Sequence, residues 1–328
     1  MAIEPVLPGK QGLLSEPRRV AGTHIEIVRP FDGRALRAVL LDFDGTLSLE
    51  RDGWPNLMVA TNSAALAQAV PGVSPAEAID WVIRDIEFNI GAPTFVQMKR
   101  LAAEIVRRGG VATDAGRYKA VYNHALVAMV AAVHSRLASG QIHIADLTVS
   151  GAFDLLEALR DQFGHRALHL ASGTDIAPVR ESVRLLGFDV FFCDGHGEPA
   201  GPDDPAGRND RDACFSNRII AAGSTGDPEQ CAKELVIAKL VAEENLQPGQ
   251  LLCFGDGFPE ILHAYRAGGV CVGVVTPDHS YYESQGHFSV AQKRERLVHA
   301  GAHVLVPDFR DAETLVQVLR SGQSGLKP

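Results

Sequence analysis

The sequence of 328 residues predicts an α/β fold in which a doubly wound, mainly parallel sheet carries an inserted all-helical domain. Two observations predict this fold. After residue 150, short apolar runs alternate with helical patterns, which is typical of a parallel sheet with helices on both faces. Residues 52–147, in contrast, show helical patterns throughout. At about 150 residues per domain, the length agrees with two domains.

The chain divides into four parts by pattern. Residues 1–35 are punctuated by Pro and Gly and are interpreted as an N-terminal extension, in which the alternating segment 24–28 predicts an edge strand. Residues 36–51 and 148–320 form the predicted core, which begins with an apolar strand over 38–44. Residues 52–147 form the predicted helical domain, and 321–328 a mobile tail.

Three helices are predicted in the inserted domain, over 74–89, 94–108 and 113–137. The first begins with a capping box formed by Ser74 and Glu77. Because the insertion follows the C-terminal end of the first strand, it lies at the edge where open α/β sheets bind ligands. We therefore expect it to form a lid over an active site.

Helices and strands alternate in the second part of the core. The predicted elements are helix 152–163, strand 167–171, helix 175–186, strand 190–193, helix 229–245, strand 251–254, helix 259–267, strand 270–275, strand 303–306 and helix 311–320. Segment 194–227 is long, charged and rich in Gly and Pro, and it predicts an inserted loop.

Composition excludes several classes of protein. With 31 basic and 40 acidic side chains, the net charge of -9 argues against binding to nucleic acid or to a membrane surface. No apolar run reaches the roughly 18 residues that span a bilayer, and the N-terminus does not resemble a secretory signal. Five cysteines without a CxxC pair indicate neither disulfides nor a zinc site, which fits a reducing, cytoplasmic location.

The first chemical motif is Asp42-Phe43-Asp44-Gly45-Thr46, at the end of the first predicted strand. Residues two apart on a strand face the same side, so we expect Asp42 and Asp44 to project together. Two converging carboxylates require a cation or a proton, and Mg²⁺ is a hard cation that prefers oxygen ligands. The alternative is a simple Asp-Gly turn.

Two motifs are candidates for binding phosphate. Ser172 and Gly173 follow a predicted strand and open a helix, where a hydroxyl and free N–H groups can hold an anion, although helix caps use the same residues. Lys233 lies at the start of a helix, where a cation is locally unfavourable. It therefore suggests a role in neutralising phosphate or a nucleophile, the alternative being a solvated side chain. Lys239, in the same helix, is a competing candidate.

The last motif contains Asp256 and Glu260, which follow strand 251–254 and open a helix with Pro259 in its first turn. Asp256 is expected to be a third carboxylate at the same edge of the sheet, suited to a metal. Glu260 lies one helical turn later and is a candidate for holding a metal-bound water. The alternative is that both are ordinary acids at a helix N-terminus.

Taken in order, these motifs resemble those of the haloacid dehalogenase superfamily of phosphohydrolases. The matching residues are Asp42-x-Asp44-Gly45-Thr46, Ser172, Lys233 and Gly255-Asp256. The resemblance covers 36–50 and 150–310 and implies a Rossmann-like core, in which residues 52–147 look like the family's helical cap. The sequence departs from the family pattern at Glu260, where Asp is more usual, and in the longer 194–227 loop.

The resemblance also implies roles for individual residues. Asp42 is the expected nucleophile, which forms an aspartyl-phosphate, and Asp44 the expected acid and base. Magnesium is expected to be held by Asp42, the Asp44 backbone carbonyl and Asp256. The phosphoryl oxygens are expected to be bound by Ser172, Gly173 and Lys233.

Phosphate monoester hydrolysis is the reaction that the resemblance implies, because dehalogenases of the superfamily lack an acid at the position of Asp44. The expected substrate is a small phosphorylated metabolite, similar to phosphoglycolate or a sugar phosphate. Candidate specificity residues in the cap are Arg84, Gly91, Thr94 and Gln97. A phosphomutase and a non-catalytic binding module remain as alternatives, and the sequence does not predict the oligomeric state.

Overall fold

The computed structural model describes residues 9, 11–89, 93–174, 176–192, 218–221, 232–277, 279 and 281–322. Within these ranges, the strands form one eight-stranded sheet in the order β1-β2-β8-β7-β6-β3-β4-β5. The strands are β1 (Arg18–Arg19), β2 (Glu26–Ile27), β3 (Ala38–Asp42), β4 (Leu168–Ser172), β5 (Ile219–Ala221), β6 (Leu251–Gly255), β7 (Val270–Val274) and β8 (Val304–Val306). Strands β3 to β8 are parallel, and β1 and β2 are antiparallel additions at one edge.

Eleven α-helices are present in the same part of the chain. They are α1 (Trp54–Ala69), α2 (Pro75–Asn89), α3 (Thr94–Arg107), α4 (Ala115–Ala138), α5 (Ala152–Phe163), α6 (Ile176–Leu185), α7 (Asp189–Phe192), α8 (Ala232–Glu243), α9 (Phe258–Arg266), α10 (Val290–Ala300) and α11 (Ala312–Ser321). Where the structure is described, none of these helices combines the length and the hydropathy needed to cross a bilayer.

Alternate side chains of the central strand β3 enter two different cores. Val39 and Leu41 pack with apolar residues of α5, α6 and α11. Ala38 and Leu40 face the other way and pack with residues of α8, α9 and α10. Because side chains alternate across a strand, a strand with apolar residues on both sides requires helices on both faces of the sheet. The doubly wound α/β fold predicted from the sequence is therefore confirmed.

Helices α1 to α4 form an insert with an apolar core of its own, which includes Met58, Leu66 and Val82. The chain between β7 and α10 contacts this insert. Phe288 from that connection is buried in the insert core. The backbone N–H of His279 also donates a hydrogen bond of 3.1 Å to Asp52.

One predicted strand is wrong. Residues 190–193 were expected to be extended, but α7 occupies this place, and its Phe191 and Phe192 are buried in the core beside α5. A short apolar run fits a buried helical turn as well as a buried strand, so periodicity cannot separate them. The strand beside β4 is instead β5, which lies in the segment 194–227 that was predicted to be a loop. The rest of that segment lies outside the described residues.

The N-terminal extension adds to the sheet. The strand expected in 24–28 is present as β2, which pairs with β8, so that Ile27 faces Val304. Just after β2, the buried side chain of Arg29 donates hydrogen bonds to the backbone carbonyls of Gly9 at 2.5 Å and Val298 at 3.0 Å. The sequence did not predict α10, which packs on the face of the sheet that Ala38 and Leu40 of β3 line.

Candidate active site

The candidate site lies where the carboxyl ends of three neighbouring strands meet. Strand β3 lies between β4 and β6. Asp42 is the last residue of β3, Ser172 is the last residue of β4, and Asp256 directly follows β6. Since parallel strands end at a common edge, the three motifs are brought together as the sequence indicated.

A cluster of three acids forms the floor of the site. The carboxylates of Asp42, Asp256 and Glu260 offer oxygen atoms that all lie within 4.8 Å of one another. Asp42 is 8% exposed and Glu260 is 3% exposed. Burial raises the pKa of Asp42 well above its ordinary value, and the charges of Glu260 and Asp256 add to this effect, while Lys233 opposes it. A divalent cation bound to these oxygens would relieve the same repulsion.

Gly45 allows the chain to turn tightly beside the acid cluster. Its φ is +76°, in the left-handed region that favours glycine. A Cβ atom at this position would overlap the carboxylate of Asp256. The Gly45 carbonyl accepts a hydrogen bond of 2.8 Å from Thr276 Oγ1, which holds the turn against the chain that follows β7. Gly45 is therefore required both for the turn and for the room that Asp256 occupies.

Lys233, in the first turn of α8, forms an ion pair with Asp42. Burial alone would lower the pKa of Lys233, but the charges of Asp42 and Glu260 outweigh burial and raise this pKa above its ordinary value. Lys239 is 58% exposed and lies 3.7 Å from Glu243 on the same helix. Of the two lysines, it is therefore Lys233 that the structure brings to the site.

Asp44 turns away from the acid cluster. Strand β3 ends at Asp42, so strand alternation no longer governs where Asp44 points. Its Oδ2 accepts hydrogen bonds from Ser172 Oγ at 3.2 Å and Thr174 Oγ1 at 3.4 Å. Its Oδ1 accepts one from Arg51 Nη1 at 2.7 Å. Asp44 therefore lies against the second motif, beside Gly173, whose Cα faces open space.

Glu260 has a structural contact as well as a place in the cluster. One of its carboxylate oxygens accepts a hydrogen bond of 2.5 Å from the backbone N–H of Gly257, the N-cap residue of α9, which is one of the N–H groups that a helix start leaves without a backbone partner. The helix N-terminus therefore fixes this carboxylate beside Asp42 and Asp256.

Lys293 is a site residue that sequence reasoning missed. It lies on α10, and its Nζ is 2.8 Å from Asp256 Oδ2. It also donates hydrogen bonds to Thr276, to the backbone carbonyl at 3.1 Å and to Oγ1 at 3.0 Å. No local sequence pattern indicates this contact, because α10 begins some thirty residues after the last motif and contains none of the four motifs.

Comparison with known proteins agrees with this geometry. Residues 36–268 match the family model for haloacid dehalogenase-like hydrolases. The chain belongs to this family. The haloacid dehalogenase-like fold and the recognition of the family from its motifs are thus confirmed. No curated protein matches the chain.

Three solved structures that match this haloacid dehalogenase-like hydrolase are distant from it in sequence. A predicted phosphoglycolate phosphatase from Haemophilus somnus is 17% identical, with a TM-score of 0.48 and coverage of 86% of this chain and 99% of the other. A phosphonoacetaldehyde hydrolase-like protein from Oleispira antarctica is 18% identical, with a TM-score of 0.49 and coverage of 91% and 98%. A putative beta-phosphoglucomutase from Bacteroides vulgatus is 15% identical, with a TM-score of 0.45 and coverage of 90% and 92%. These names differ in their reactions, so the matches do not identify a substrate.

Three of the predicted specificity residues of this haloacid dehalogenase-like hydrolase, Arg84, Thr94 and Gln97, lie in the described part of the chain, and none of these three lines the pocket beside Asp44. Arg84 is exposed and pairs with Asp80 at 2.5 Å, Gln97 is buried within the insert, and Thr94 begins α3. Gly91 lies outside the described residues. The pocket is instead lined on the insert side by Asp52 and by Trp54, the first residue of α1. A role for the four predicted residues stays a prediction.

Proposed function

We propose that this protein is a Mg²⁺-dependent phosphatase that hydrolyses a phosphate monoester of a small metabolite, similar to phosphoglycolate or a sugar phosphate. The observation that carries the proposal is the convergence of the carboxylates of Asp42, Asp256 and Glu260, of which Asp42 and Glu260 are buried, beside Lys233. Three carboxylates and a lysine at one sheet edge suit the transfer of an anionic group to a nucleophile. A cytoplasmic location stays a prediction from the sequence.

The reaction is proposed to proceed in two displacements. A carboxylate oxygen of Asp42 attacks phosphorus, the ester P–O bond breaks, and Asp44 gives a proton to the leaving oxygen. Asp44 then takes a proton from a water molecule, which attacks the aspartyl-phosphate. This second step releases inorganic phosphate, restores the carboxylate of Asp42 and leaves Asp44 protonated, as it was at the start. During both steps Ser172, the Gly173 N–H and Lys233 are proposed to bind the phosphoryl oxygens.

The acid cluster fits a magnesium ion. Its donors are hard carboxylate oxygens. Burial, and to a lesser extent the charges of Glu260 and Asp256, raise the pKa of Asp42, and a cation bound here would favour its charged form. The proposed ligands are the side chains of Asp42 and Asp256 and the backbone carbonyl of Asp44, with Glu260 close enough to hold a ligand water. Bound magnesium would offset the negative charge of the transferring phosphoryl group.

The test is an assay of phosphate release from 4-nitrophenyl phosphate and from a panel of phosphorylated metabolites, in Mg²⁺ and in EDTA. We expect release that requires Mg²⁺ and is abolished by Asp42→Asn, which removes the nucleophile while it keeps the shape of the side chain. Equal release by this variant would refute the mechanism. Isomerised sugar phosphate without free phosphate would indicate a phosphomutase. No turnover together with no binding of Mg²⁺ would indicate a non-catalytic module.

A further inference from the structure

A buried ion pair follows the first motif directly. Glu50 is 1% exposed and Arg51 is 8% exposed, and Arg51 Nη1 lies 3.0 Å from Glu50 Oε2. The same Nη1 donates the hydrogen bond of 2.7 Å to Asp44 Oδ1. One guanidinium nitrogen thus joins the proposed acid and base to a second, buried carboxylate.

Both residues of this pair have further partners. Arg51 Nη2 donates a hydrogen bond of 3.3 Å to Ser182 Oγ, on α6. Ser182 in turn donates to Glu50 Oε2 at 2.5 Å, and His134 of α4 pairs through Nε2 with Glu50 Oε1. The network therefore receives contacts from the chain after β3, from the core helix α6 and from the insert helix α4.

The geometry of this network favours a role of Arg51 in orienting Asp44 over a role in binding substrate. The two terminal nitrogens of Arg51 are directed at Asp44, Glu50 and Ser182. A guanidinium is planar and rigid, so a carboxylate that binds it is held in a narrow range of positions. The second oxygen of Asp44 is held by Ser172. Both oxygens of the proposed acid and base are therefore fixed by buried groups.

We propose that Arg51 is a positioning residue that sets the orientation of Asp44, and that Glu50, fixed by Ser182 and His134, sets the orientation of Arg51. This inference rests on the proposed phosphatase function and adds to it two residues that hold Asp44 in place. Proton transfer by a positioned side chain contributes roughly 10²–10⁴-fold to a rate. A displacement of about 1 Å can remove about 10²-fold of such an effect. Loss of Arg51 should therefore slow the step in which Asp44 protonates the leaving oxygen.

The test compares two esters of similar shape, phenyl phosphate and 4-nitrophenyl phosphate, in Arg51→Met. The departure of phenolate depends on protonation much more strongly than the departure of 4-nitrophenolate does, because phenol is the weaker acid. The constant kcat/KM covers only the steps up to departure of the first product, which excludes the later attack by water. We expect kcat/KM for phenyl phosphate to fall by about tenfold or more beyond the fall for 4-nitrophenyl phosphate. In an Asp44→Asn background, Arg51→Met should add no further loss.

Controls separate this role from a structural one. Arg51→Met leaves Glu50 buried without this cation and can unfold the chain, so the paired variant Glu50→Gln/Arg51→Gln, which removes the buried Glu50 charge together with its cation, is tested beside it. Arg108→Met is the matched control, because Arg108 forms its ion pairs with Glu104 and Glu77 inside the insert. It should lower thermal stability and leave the ratio of the two kcat/KM values unchanged.

The outcomes are distinct. A larger loss on phenyl phosphate, in Arg51→Met or in the paired variant, supports the inference. Equal losses on both esters, or wild-type kinetics in a folded variant, would overturn it while the phosphatase function stands. Absence of phosphate release from both esters by the wild-type protein would remove the proposed function, and the inference with it.

Discussion

Replacement of Lys233 by Met tests the electrostatics of the site. The Lys233 ammonium pairs with Asp42, and both side chains are largely buried. Loss of one preorganised group that stabilises a developing charge costs about 3 kcal/mol. At about 1.4 kcal/mol per factor of ten, this predicts a fall in kcat of roughly 10²-fold. The unpaired Asp42 should also lower the stability of the fold, because it then lies uncompensated among the other two acids.

Lys239→Met is the matched control on the same helix. Its pair with Glu243 is exposed, and such pairs contribute about 0.3–0.5 kcal/mol to stability, so both turnover and melting temperature should stay close to those of the wild type. Phosphate release from 4-nitrophenyl phosphate in saturating Mg²⁺ measures both variants, and circular dichroism melts measure their folding. Near-wild-type turnover in Lys233→Met, or a similar loss in both variants, would refute the assignment of the phosphate-binding lysine.

Three further substitutions follow from the structure. Gly45→Ala should lower the stability of the fold by about 1–3 kcal/mol, because the backbone at this position is left-handed. It should also weaken Mg²⁺ binding, measured by calorimetry, because the new Cβ displaces Asp256. An unchanged Mg²⁺ affinity would contradict this prediction. Phe288→Ala should destabilise the insert by about 3–5 kcal/mol, whereas exposed Tyr281→Ala should have little effect. Urea unfolding followed by tryptophan fluorescence reports on the insert directly, because both tryptophans lie there. Lys293→Met removes the cation beside Asp256, so Mg²⁺ should raise its melting temperature by more than it raises that of the wild type; an equal rise would argue against the contact.

The sequence predicted the fold and the edge of the sheet that holds the motifs because both depend on local patterns. Asp42 ends one apolar strand and Asp256 follows another, and the carboxyl ends of neighbouring parallel strands meet at one edge of the sheet. Lys233 was already one of two candidates, and only its burial in the folded chain separates it from Lys239. The catalytic and binding roles of these residues stay predictions.

The contacts that were not predicted depend on long-range packing. Lys293 reaches Asp256 only because α10 packs beside α9, which no spacing in the sequence encodes. Arg51 directly follows Glu50 in the chain, and charged neighbours of this kind are usually solvated. Their burial depends on α4 and α6, which lie far away in sequence.

The pairing of β2 with β8 has a consequence for shortened forms of the protein. A chain that begins at residue 36, where the family match begins, would lack β2 together with the buried side chains of Ile25 and Ile27. Strand β8 would then present a row of unpaired N–H and C=O groups beside newly exposed apolar surface. Such open edges recruit strands from other molecules and lead to aggregation. The extension therefore protects the rim of the sheet against self-association.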